Sequence, residues 1–384
     1  MKKKTLFFVS HTLVAVMASL LTLTLSALLP LKEVSKLQQL SDLIEEKFIG
    51  EADMIFLEDS AAAAMIAATG DRWSYYIPAS EYQAYREQSE NAYVGVGITI
   101  QEAENQMGFA VLAVSTGGPA EEAGLLPGDL LIMVEDEDVR GFSMDEVRSR
   151  VKGEAGTYVK LTVLREGDHR YFTVERRQVL TPVAEWEMLE NGIGLVQIVN
   201  FDERCAEETI NAVKSLISNG ATGILFDVRH NPGGYASEMV EVLDYLLPEG
   251  DLFRMVSYQG KESVDRSDAE YLDIPMAVLV NSGSYSAAEF FAAALQEYDA
   301  AVIIGQQTTG KGFYQNTFRF TDGSAAALSV GKYFTPNGNS LEGVGITPDI
   351  TIEVDDETAS AIYYGTLPAM EDPYIQAAVA ALAK

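Results

Sequence analysis

The sequence contains very few of the side chains that usually bind metals or form cross-links. Its 384 residues include one cysteine, Cys205, and three histidines, His11, His169 and His230. A single cysteine excludes an internal disulfide bond, and the glutamates around it oppose a reactive thiolate. The histidines and the cysteine are too scattered along the chain to form a zinc-type ligand set. We therefore expect neither a metal site nor a cofactor.

Positive charge is also scarce. The chain has 27 lysines and arginines against 57 aspartates and glutamates, which gives a formal net charge of −30 and a pI near 4.3. Such a surface repels the phosphates of nucleic acid, so we expect no nucleic-acid partner. The hydrophobic fraction of 47% is ample for sizeable cores. The length leaves room for roughly two or three domains.

One long stretch near the N-terminus contains no aspartate, glutamate, lysine or arginine. It runs from residue 5 to residue 31, and three lysines at residues 2–4 precede it. Its length suffices to span a bilayer, and the lysines indicate that the N-terminus stays in the cytoplasm. We interpret residues 1–31 as a signal-anchor or as a cleaved signal peptide, because no clear Ala-x-Ala site decides between them. The rest of the chain would then be extracytoplasmic, anchored to the cell membrane by a single pass or secreted.

Another stretch has the pattern of a strand that turns sharply into a helix. Residues 274–280 form an apolar run typical of a buried strand, residues 281–286 are small and polar, and residues 287–298 have the composition of a helix. Ser286 therefore lies where a strand turns into a helix. Backbone N–H groups at a helix start have no intrahelical acceptor, and together with the helix dipole they can stabilise a developing oxyanion.

The nucleophile needs a base, because a serine hydroxyl reacts poorly until its proton is accepted. Among the histidines only His230 is well placed, just after a predicted strand. Lys311, which has glycine on both sides, is the other candidate, since burial among apolar groups lowers the pKa of a lysine towards neutrality. Ser284 is an alternative nucleophile. Taken singly, Ser286 is equally explained as a helix N-cap and Lys311 as a solvated side chain.

Two motifs taken together resemble those of the C-terminal processing peptidases, also called tail-specific proteases. They are Asn-Ser-Gly-Ser-Tyr-Ser-Ala-Ala-Glu at residues 281–289 and Thr-Gly-Lys-Gly-Phe-Tyr-Gln at residues 309–315. The resemblance implies a serine endopeptidase with Ser286 as nucleophile, Lys311 as general base and Gln315 as the residue that orients the lysine. Tyr285 and Ala288 stand where the family more often has alanine and serine, and neither change touches the reacting side chains.

A second block matches the same family. The predicted strand at residues 221–229 runs into His-Asn-Pro-Gly-Gly at residues 230–234, and a glycine pair after a strand frees backbone N–H groups to face a ligand. In the family a glycine amide here forms the oxyanion hole with the amide that follows the nucleophile. The resemblance therefore assigns this role to Gly233, or alternatively Gly234, and to Ala287.

Residues 92–177 resemble a PDZ domain. The pattern consists of strands at residues 93–100 and 108–115, followed by a short helix, turn and strand at residues 118–134. PDZ domains bind an extended peptide as an added strand and hold its C-terminal carboxylate in backbone amides. The expected carboxylate loop comprises Gly95, Val96, Gly97 and Ile98. The expected partners are protein substrates with unstructured C-terminal tails.

The fold class that we predict is α/β and mixed, with several domains. Residues 33–90 form an N-terminal helical region, residues 178–356 an α/β serine protease core with a Ser–Lys dyad, and residues 357–384 a C-terminal helical tail. Helical arms such as residues 33–90 often form dimer contacts in the family. The resemblance thus allows a homodimer, although an amphipathic helix can equally pack on its own domain.

The function that we predict is that of an exported serine endopeptidase. Its PDZ domain would bind the C-terminal tail of a substrate, and its Ser–Lys dyad would hydrolyse a peptide bond through an acyl-enzyme. Two other functions stay open. The chain could be a catalytically silent PDZ-type binding or scaffold protein, or a non-peptidase acyl hydrolase that uses His230 as its base.

Overall fold

The computed structural model of the protein describes residues 35–104 and 107–383. The predicted signal-anchor or signal peptide at residues 1–31 lies outside the described residues. Within the described residues, no helix is long and apolar enough to cross a membrane. The chain divides into two compact units, Met1–Met65 and Ile66–Lys384.

The described part of the first unit is helical. Helix α1 (Lys36–Lys47) begins after Ser35, whose hydroxyl accepts a hydrogen bond from the N–H of Gln38. This cap satisfies one of the N–H groups that the first turn of a helix leaves without a partner. Helix α2 (Met54–Ala67) begins in the first unit and ends just inside the second. The helix predicted at residues 60–68 is therefore present, but it begins at Met54.

The second unit opens with strand β1 (Tyr75–Ile77) and helix α3 (Tyr82–Ser89). The prediction of a helical region at residues 33–90 is thus confirmed for α1, α2 and α3. It missed β1, because three residues are too few to establish an alternating pattern. Strand β1 is held by a distant partner, since Ile77 pairs antiparallel with Ala325.

The middle of the chain forms a small antiparallel sheet that is flanked by two short helices. Its elements are β2 (Ala92–Gly95), β3 (Ile98–Glu102), β4 (Phe109–Val114), α4 (Pro119–Ala123), β5 (Leu130–Val134), β6 (Glu137–Asp138), α5 (Met144–Val151), β7 (Tyr158–Arg165), β8 (Asp168–Glu175) and β9 (Arg177–Leu180). The strand order is β3-β4-β5-β7-β8, with β6 beside β5, while β2 and β9 form a separate ribbon. Strand β3 therefore lies at an edge of the sheet.

The rest of the chain alternates strands and helices. Its elements are β10 (Ala184–Met188), β11 (Ile193–Ile198), α6 (Cys205–Ser218), β12 (Gly223–Asp227), α7 (Ala236–Leu246), β13 (Gly250–Ser257), β14 (Glu262–Ser267), β15 (Met276–Val280), α8 (Ala287–Glu297), β16 (Ala301–Gly305), β17 (Phe313–Arg319), β18 (Ala325–Phe334), β19 (Ile350–Thr351), α9 (Asp356–Tyr363), a 3-10 helix (Ala369–Glu371) and α10 (Pro373–Leu382). They build two sheets.

The first of these sheets is mostly parallel and buried on both faces. Its strand order is β10-β11-β12-β15-β16-β19, and only the β10–β11 pair is antiparallel. Successive residues of a strand point to opposite faces. Phe226 and Val278 accordingly pack with residues of α6, α7 and α8, whereas Leu225 and Leu279 pack with residues of α10. Because the carboxyl ends of parallel strands lie at one edge, the loops after β12 and β15 meet there.

The second sheet is antiparallel and has the order β1-β18-β13-β14, with β17 also paired to β18. It positions the segment that contains Lys311, which leads directly into β17. The C-terminal helix predicted at residues 373–384 is present as α10, and Ile375 and Ala378 of α10 are buried against the first sheet. The domain boundaries given above stay predictions.

Candidate active site

A cleft of about 1290 Å³ in the second unit brings most of the predicted catalytic residues together. Ser286, Lys311, Gln315 and Gly233 all line it. Neither Ser284 nor His230 is among the residues that line this cleft. The two motifs singled out from the sequence therefore meet in one cavity, although 24 residues of chain separate Ser286 from Lys311.

Ser286 lies in the sharp turn between β15 and α8. Its backbone has φ 60° and ψ −127°, a region that residues with a Cβ rarely adopt, and 7% of the residue is exposed. The helix begins at the next residue, Ala287. Such a turn places the serine in front of a helix N-terminus, and strained backbone of this kind is typical of functional sites.

The alternative nucleophile, Ser284, has a different environment. It is fully buried, and its hydroxyl donates to the carbonyl of Val228 at 2.7 Å and accepts from the N–H of Asn281 at 3.1 Å. His230 is also engaged, because its Nε2 lies 2.8 Å from the side-chain amide of Asn281. Both residues thus brace the loops behind Ser286. Neither faces the cleft.

The ammonium of Lys311 lies near two aromatic rings. Its Nζ lies 5.2 Å from the ring centroid of Trp73 and 5.8 Å from that of Tyr285, and the two rings are stacked with their centroids 6.3 Å apart. Cation–π attraction holds an ammonium over such rings. Among the described residues, Nζ makes no hydrogen bond or ion pair, so the lysine and Ser286 share the cleft without a direct bond between them.

The electrostatic environment of Lys311 favours a neutral amine more than water does. Burial lowers the pKa of Lys311, while the nearby carboxylates of Asp71, Glu289 and Glu342 act in the opposite direction. Burial is the largest of these effects, because a desolvated ammonium loses its hydration. A lysine in this position has the property that a general base requires.

Gln315 makes no hydrogen bond to Lys311 in this structure. Its side-chain amide donates to the carbonyl of Phe313 at 3.1 Å and to the hydroxyl of Ser329 at 3.0 Å. The pairing of β17 with β18 shifts register between Tyr314 and Gln315. The donors of this amide are thus engaged, whereas its Oε1, the atom that can accept a hydrogen bond from a lysine amine, takes part in neither bond.

The predicted oxyanion residues lie against the nucleophile. A Cβ on Gly233 would stand 2.7 Å from the Cβ of Ser286 and 2.9 Å from the amide nitrogen of Ala287, so only glycine fits. The N–H of Gly233, however, already donates to the side chain of Asn231 at 2.8 Å. Among the described residues the amides of Gly234 and Ala287 donate to no acceptor. The choice between Gly233 and Gly234 therefore stays open.

Replacing Gly233 with alanine is expected to lower kcat/KM by about 100-fold, because displacing the reacting atoms by roughly an ångström has that effect. Gly220 is a matched control, since it has the same φ of 89° but nothing within 4 Å of its Cβ position. Gly220→Ala should therefore introduce similar strain and leave activity intact. Steady-state peptide cleavage by both variants measures this, and equal activities would contradict the close packing.

Sequence reasoning missed the residue that joins the two catalytic segments. Glu289 is fully buried in α8, and each of its carboxylate oxygens accepts two hydrogen bonds. One oxygen accepts from the hydroxyl of Thr308 at 2.5 Å and the N–H of Gly310 at 2.7 Å. The other accepts from the N–H groups of Ser286 at 3.0 Å and Lys311 at 2.8 Å. A glutamate three residues after a serine at the start of a helix is a capping-box signal, and this signal could have identified Glu289 from the sequence.

A second group that the sequence did not reveal comes from far along the chain. Trp73 donates its indole N–H to the carboxylate of Glu342 at 3.2 Å, and the same carboxylate accepts from the N–H of Gly312 at 2.8 Å. Arg72 lies over the Trp73 ring and donates to the carbonyl of Gly310 at 2.9 Å. These bonds attach the ring that contacts Lys311 to both glycines beside that lysine.

The loop that contains the glycine pair is held by a buried ion-pair network. Arg229 lies 2.5 Å from Asp227 and 2.7 Å from Asp372, and the side chains of all three are less than 10% exposed. Asp372 also caps α10 by accepting from the N–H of Tyr374 at 2.9 Å. Losing one partner of such a network leaves a buried charge uncompensated. The network therefore fixes the end of β12 against the C-terminal helix.

A separate groove of about 400 Å³ runs beside β3 and α5. The whole predicted carboxylate loop, residues 95–98, lines it together with Arg148 and Lys152. Within residues 35–104 and 107–383, the N–H groups of Val96 and Gly97 donate to no acceptor, and β3 is an edge strand. Free amides, an open strand edge and nearby cations are the features that bind a peptide with a terminal carboxylate.

Comparisons with known proteins identify the family. The pattern of peptidase family S41 matches residues 192–352, and that of a PDZ domain matches residues 111–165. The carboxy-terminal processing protease CtpA of Bacillus subtilis (strain 168) is 31% identical over 369 residues, which cover 93% of this chain and 79% of that protein. The chain belongs to peptidase family S41. This S41 peptidase is a serine-type protease of the C-terminal processing group, with a PDZ domain.

Two further comparisons concern a second sequence and a solved structure. A probable CtpA-like serine protease of Staphylococcus aureus (strain COL) is 29% identical over 324 residues, which cover 83% of this chain and 65% of that protein. A crystal structure described as a putative S41 protease from Bacteroides fragilis NCTC 9343 covers 90% of this chain and 97% of its own, with a TM-score of 0.55. Its sequence is 16% identical, so this likeness shows the fold alone.

Proposed function

We propose that this S41 peptidase cleaves proteins that it recognises by their C-terminal tails, using Ser286 as nucleophile and Lys311 as general base. The observation that supports this most is that Ser286 and a desolvated Lys311 line the same cleft. A separate groove with free amides accounts for recognition of the tail. The hydrophobic stretch at residues 5–31 supports export, with the catalytic part outside the cytoplasm.

The proposed reaction begins when the side chain of Lys311 leaves the rings of Trp73 and Tyr285 and reaches the hydroxyl of Ser286. The neutral amine accepts the hydroxyl proton as the serine oxygen attacks the scissile carbonyl. Amide N–H groups of Ala287 and of Gly233 or Gly234 stabilise the oxyanion. The lysine then donates the proton to the leaving amine, and an acyl-enzyme forms on Ser286.

Deacylation repeats these steps with water. Lys311 accepts a proton from the attacking water, the second oxyanion collapses, and the proton returns to the oxygen of Ser286 as the new carboxyl terminus leaves. Gln315 would orient the lysine by accepting a hydrogen bond from its amine at Oε1, while its Nε2 donates to Phe313 and Ser329. The bonds of Glu289 to the backbone of both Ser286 and Lys311 maintain the alignment of the two segments throughout.

Recognition of the tail is tested with one unstructured peptide that has an apolar C-terminus, prepared with a free carboxylate and with a terminal amide. The free carboxylate should bind the amides of residues 95–98, so amidation should raise KM by about tenfold, as expected for losing hydrogen bonds to a charged group. Initial-rate kinetics on both peptides provide the measurement. Equal KM values would refute carboxylate recognition in the groove.

A further inference from the structure

One partly buried carboxylate in the cleft makes no hydrogen bond or ion pair with the part of the chain that the structure describes. Asp202 follows β11 and lines the catalytic cleft. Among the described residues its carboxylate makes no hydrogen bond or ion pair, although its backbone N–H donates to Asn200 at 2.9 Å. The cleft arginines are already engaged, because Arg86 pairs with Glu90 and Arg72 donates to the carbonyl of Gly310. A carboxylate withdrawn from water without a cation is unfavourable unless a ligand compensates it.

Three tyrosines line the same cleft as this carboxylate, namely Tyr75, Tyr85 and Tyr235. Burial raises the pKa values of Tyr75 and Tyr235, and the charge of Asp202 adds to the effect on both, which places these phenols within its electrostatic reach. Aromatic faces beside a carboxylate are a suitable environment for an ammonium or guanidinium group.

The charge state of Asp202 fits the same ligand. Burial, followed by the charges of Glu203 and Glu238, raises the pKa of Asp202 to about 7. The ionised carboxylate is therefore destabilised near neutral pH, and an approaching cation would stabilise it directly. Glu238 is already engaged, since it accepts from the N–H of Ala206 at 2.8 Å. Glu203 is exposed and lines the cleft.

Asp202 lies close to the nucleophile through the glycine pair. Phe201 and Gly234 form an isolated bridge, and a Cβ on Gly234 would collide with the backbone of Phe201 and lie 2.6 Å from the nitrogen of Asp202. The adjacent Gly233 is the residue whose Cβ would stand 2.7 Å from the Cβ of Ser286. A substrate residue that reaches Asp202 is therefore a near neighbour of the scissile bond.

We propose that Asp202, walled by Tyr75, Tyr85 and Tyr235, forms a subsite for a lysine or arginine side chain of the substrate close to the scissile bond. Asp202 is a specificity-determining residue in this proposal, which rests on the proposed function of the cleft. The tail bound in the PDZ groove would deliver the substrate, and the cationic residue would select which bond lies at Ser286.

The test moves one lysine, position by position, along both sides of the cleaved bond in a neutral host peptide that keeps one apolar tail. The same series carries glutamine instead of lysine as the uncharged counterpart. At one position kcat/KM should be about tenfold higher for lysine than for glutamine, the effect of a hydrogen bond between charged groups. In Asp202→Asn this ratio should fall to near one, while Glu203→Gln, which removes an exposed carboxylate of the same cleft, should keep it.

Affinity provides a second measurement that does not need turnover. The Kd of Ser286→Ala for the lysine and glutamine peptides, measured by fluorescence anisotropy, should show the same preference. Adding Asp202→Asn should remove it. Because every peptide has the same tail, the contribution of the PDZ groove is equal in all of them. The difference in Kd between the lysine and glutamine peptides therefore reports binding in the cleft alone.

The outcomes separate this inference from the proposed function. If the host peptide is cleaved but lysine is favoured at no position, the subsite is refuted and the protease function stands. Equal loss of preference in Glu203→Gln and Asp202→Asn would also refute it, because a diffuse negative potential would then explain the preference. If the host peptide is not cleaved at all, the proposed function fails, and the affinity ratio still decides whether Asp202 binds a cation.

Discussion

Lys311→Met is expected to lower kcat/KM on a tail peptide by about 10⁴-fold, because positioned general bases contribute up to that factor. Ser286→Ala should abolish cleavage to at least the same extent, and the double variant should be no worse than Ser286→Ala, since the two residues act as one unit. A fluorophosphonate probe should label wild type and fail to label Ser286→Ala. Steady-state kinetics and probe labelling together measure the dyad.

Lys332→Met is the matched control for the lysine. Lys332 also has its ammonium near an aromatic ring, 5.8 Å from the centroid of Phe313, but it does not line the cleft. The Lys332→Met variant should keep wild-type activity. In wild type, kcat/KM should rise with pH as Lys311 loses its proton, with a midpoint below the usual lysine pKa because burial lowers it. Full activity of Lys311→Met would exclude the dyad and favour His230 as the general base.

Glu289→Gln is expected to destabilise the fold by about 3 kcal/mol and to reduce activity by about 100-fold. Each oxygen of Glu289 accepts two hydrogen bonds, so an amide NH₂ group at either position faces at least one backbone N–H. Two hydrogen-bond donors that face each other cannot bond, so a buried N–H group is left without an acceptor. Chemical denaturation measures the loss of stability, and kinetics well below the unfolding transition measure the loss of alignment.

Glu297→Gln is the control for this variant. Glu297 ends the same helix and also accepts several hydrogen bonds, from the hydroxyl of Thr335 at 2.7 Å, the N–H of Asn337 at 2.7 Å and the side chain of Asn339 at 2.8 Å. It lies outside the cleft. Its substitution should reduce stability without changing kcat/KM at temperatures where the protein is folded. If Glu289→Gln behaved in the same way, Glu289 would be structural only.

Local patterns predicted the parts of the site that a single turn of chain determines. The apolar run before Ser286 and the helix after it are present as β15 and α8, and the glycines beside Lys311 do pack against backbone. A Cβ on Gly310 would lie 2.9 Å from the nitrogen of Val344, and one on Gly312 would lie 2.7 Å from that of Glu342. Packing therefore requires glycine on both sides of the lysine, as the sequence indicated.

Contacts between distant segments could not be predicted in the same way. Trp73 and Glu342 are 269 positions apart, and Arg229 and Asp372 are 143 apart. No local periodicity encodes such pairs, because they arise only when sheets and helices pack. The side chain of Gln315 illustrates the same limit. Its position in the motif implied an orienting role, which stays a prediction, but the bond of its amide to Ser329 depends on the pairing of β17 with β18, which the motif does not encode.

The backbone of Ser286 has a consequence for the evolution of the protein. At φ 60° and ψ −127° Ser286 occupies a conformation that glycine adopts without strain. Ser286→Gly should therefore raise the free energy of unfolding by about 1 kcal/mol after allowing for the greater entropy of glycine in the unfolded chain. Thermal unfolding would reveal this gain. Variants that lose activity through glycine at position 286 would thus be more stable than the active protein. Selection for cleavage, and not for stability, would then maintain serine at this position.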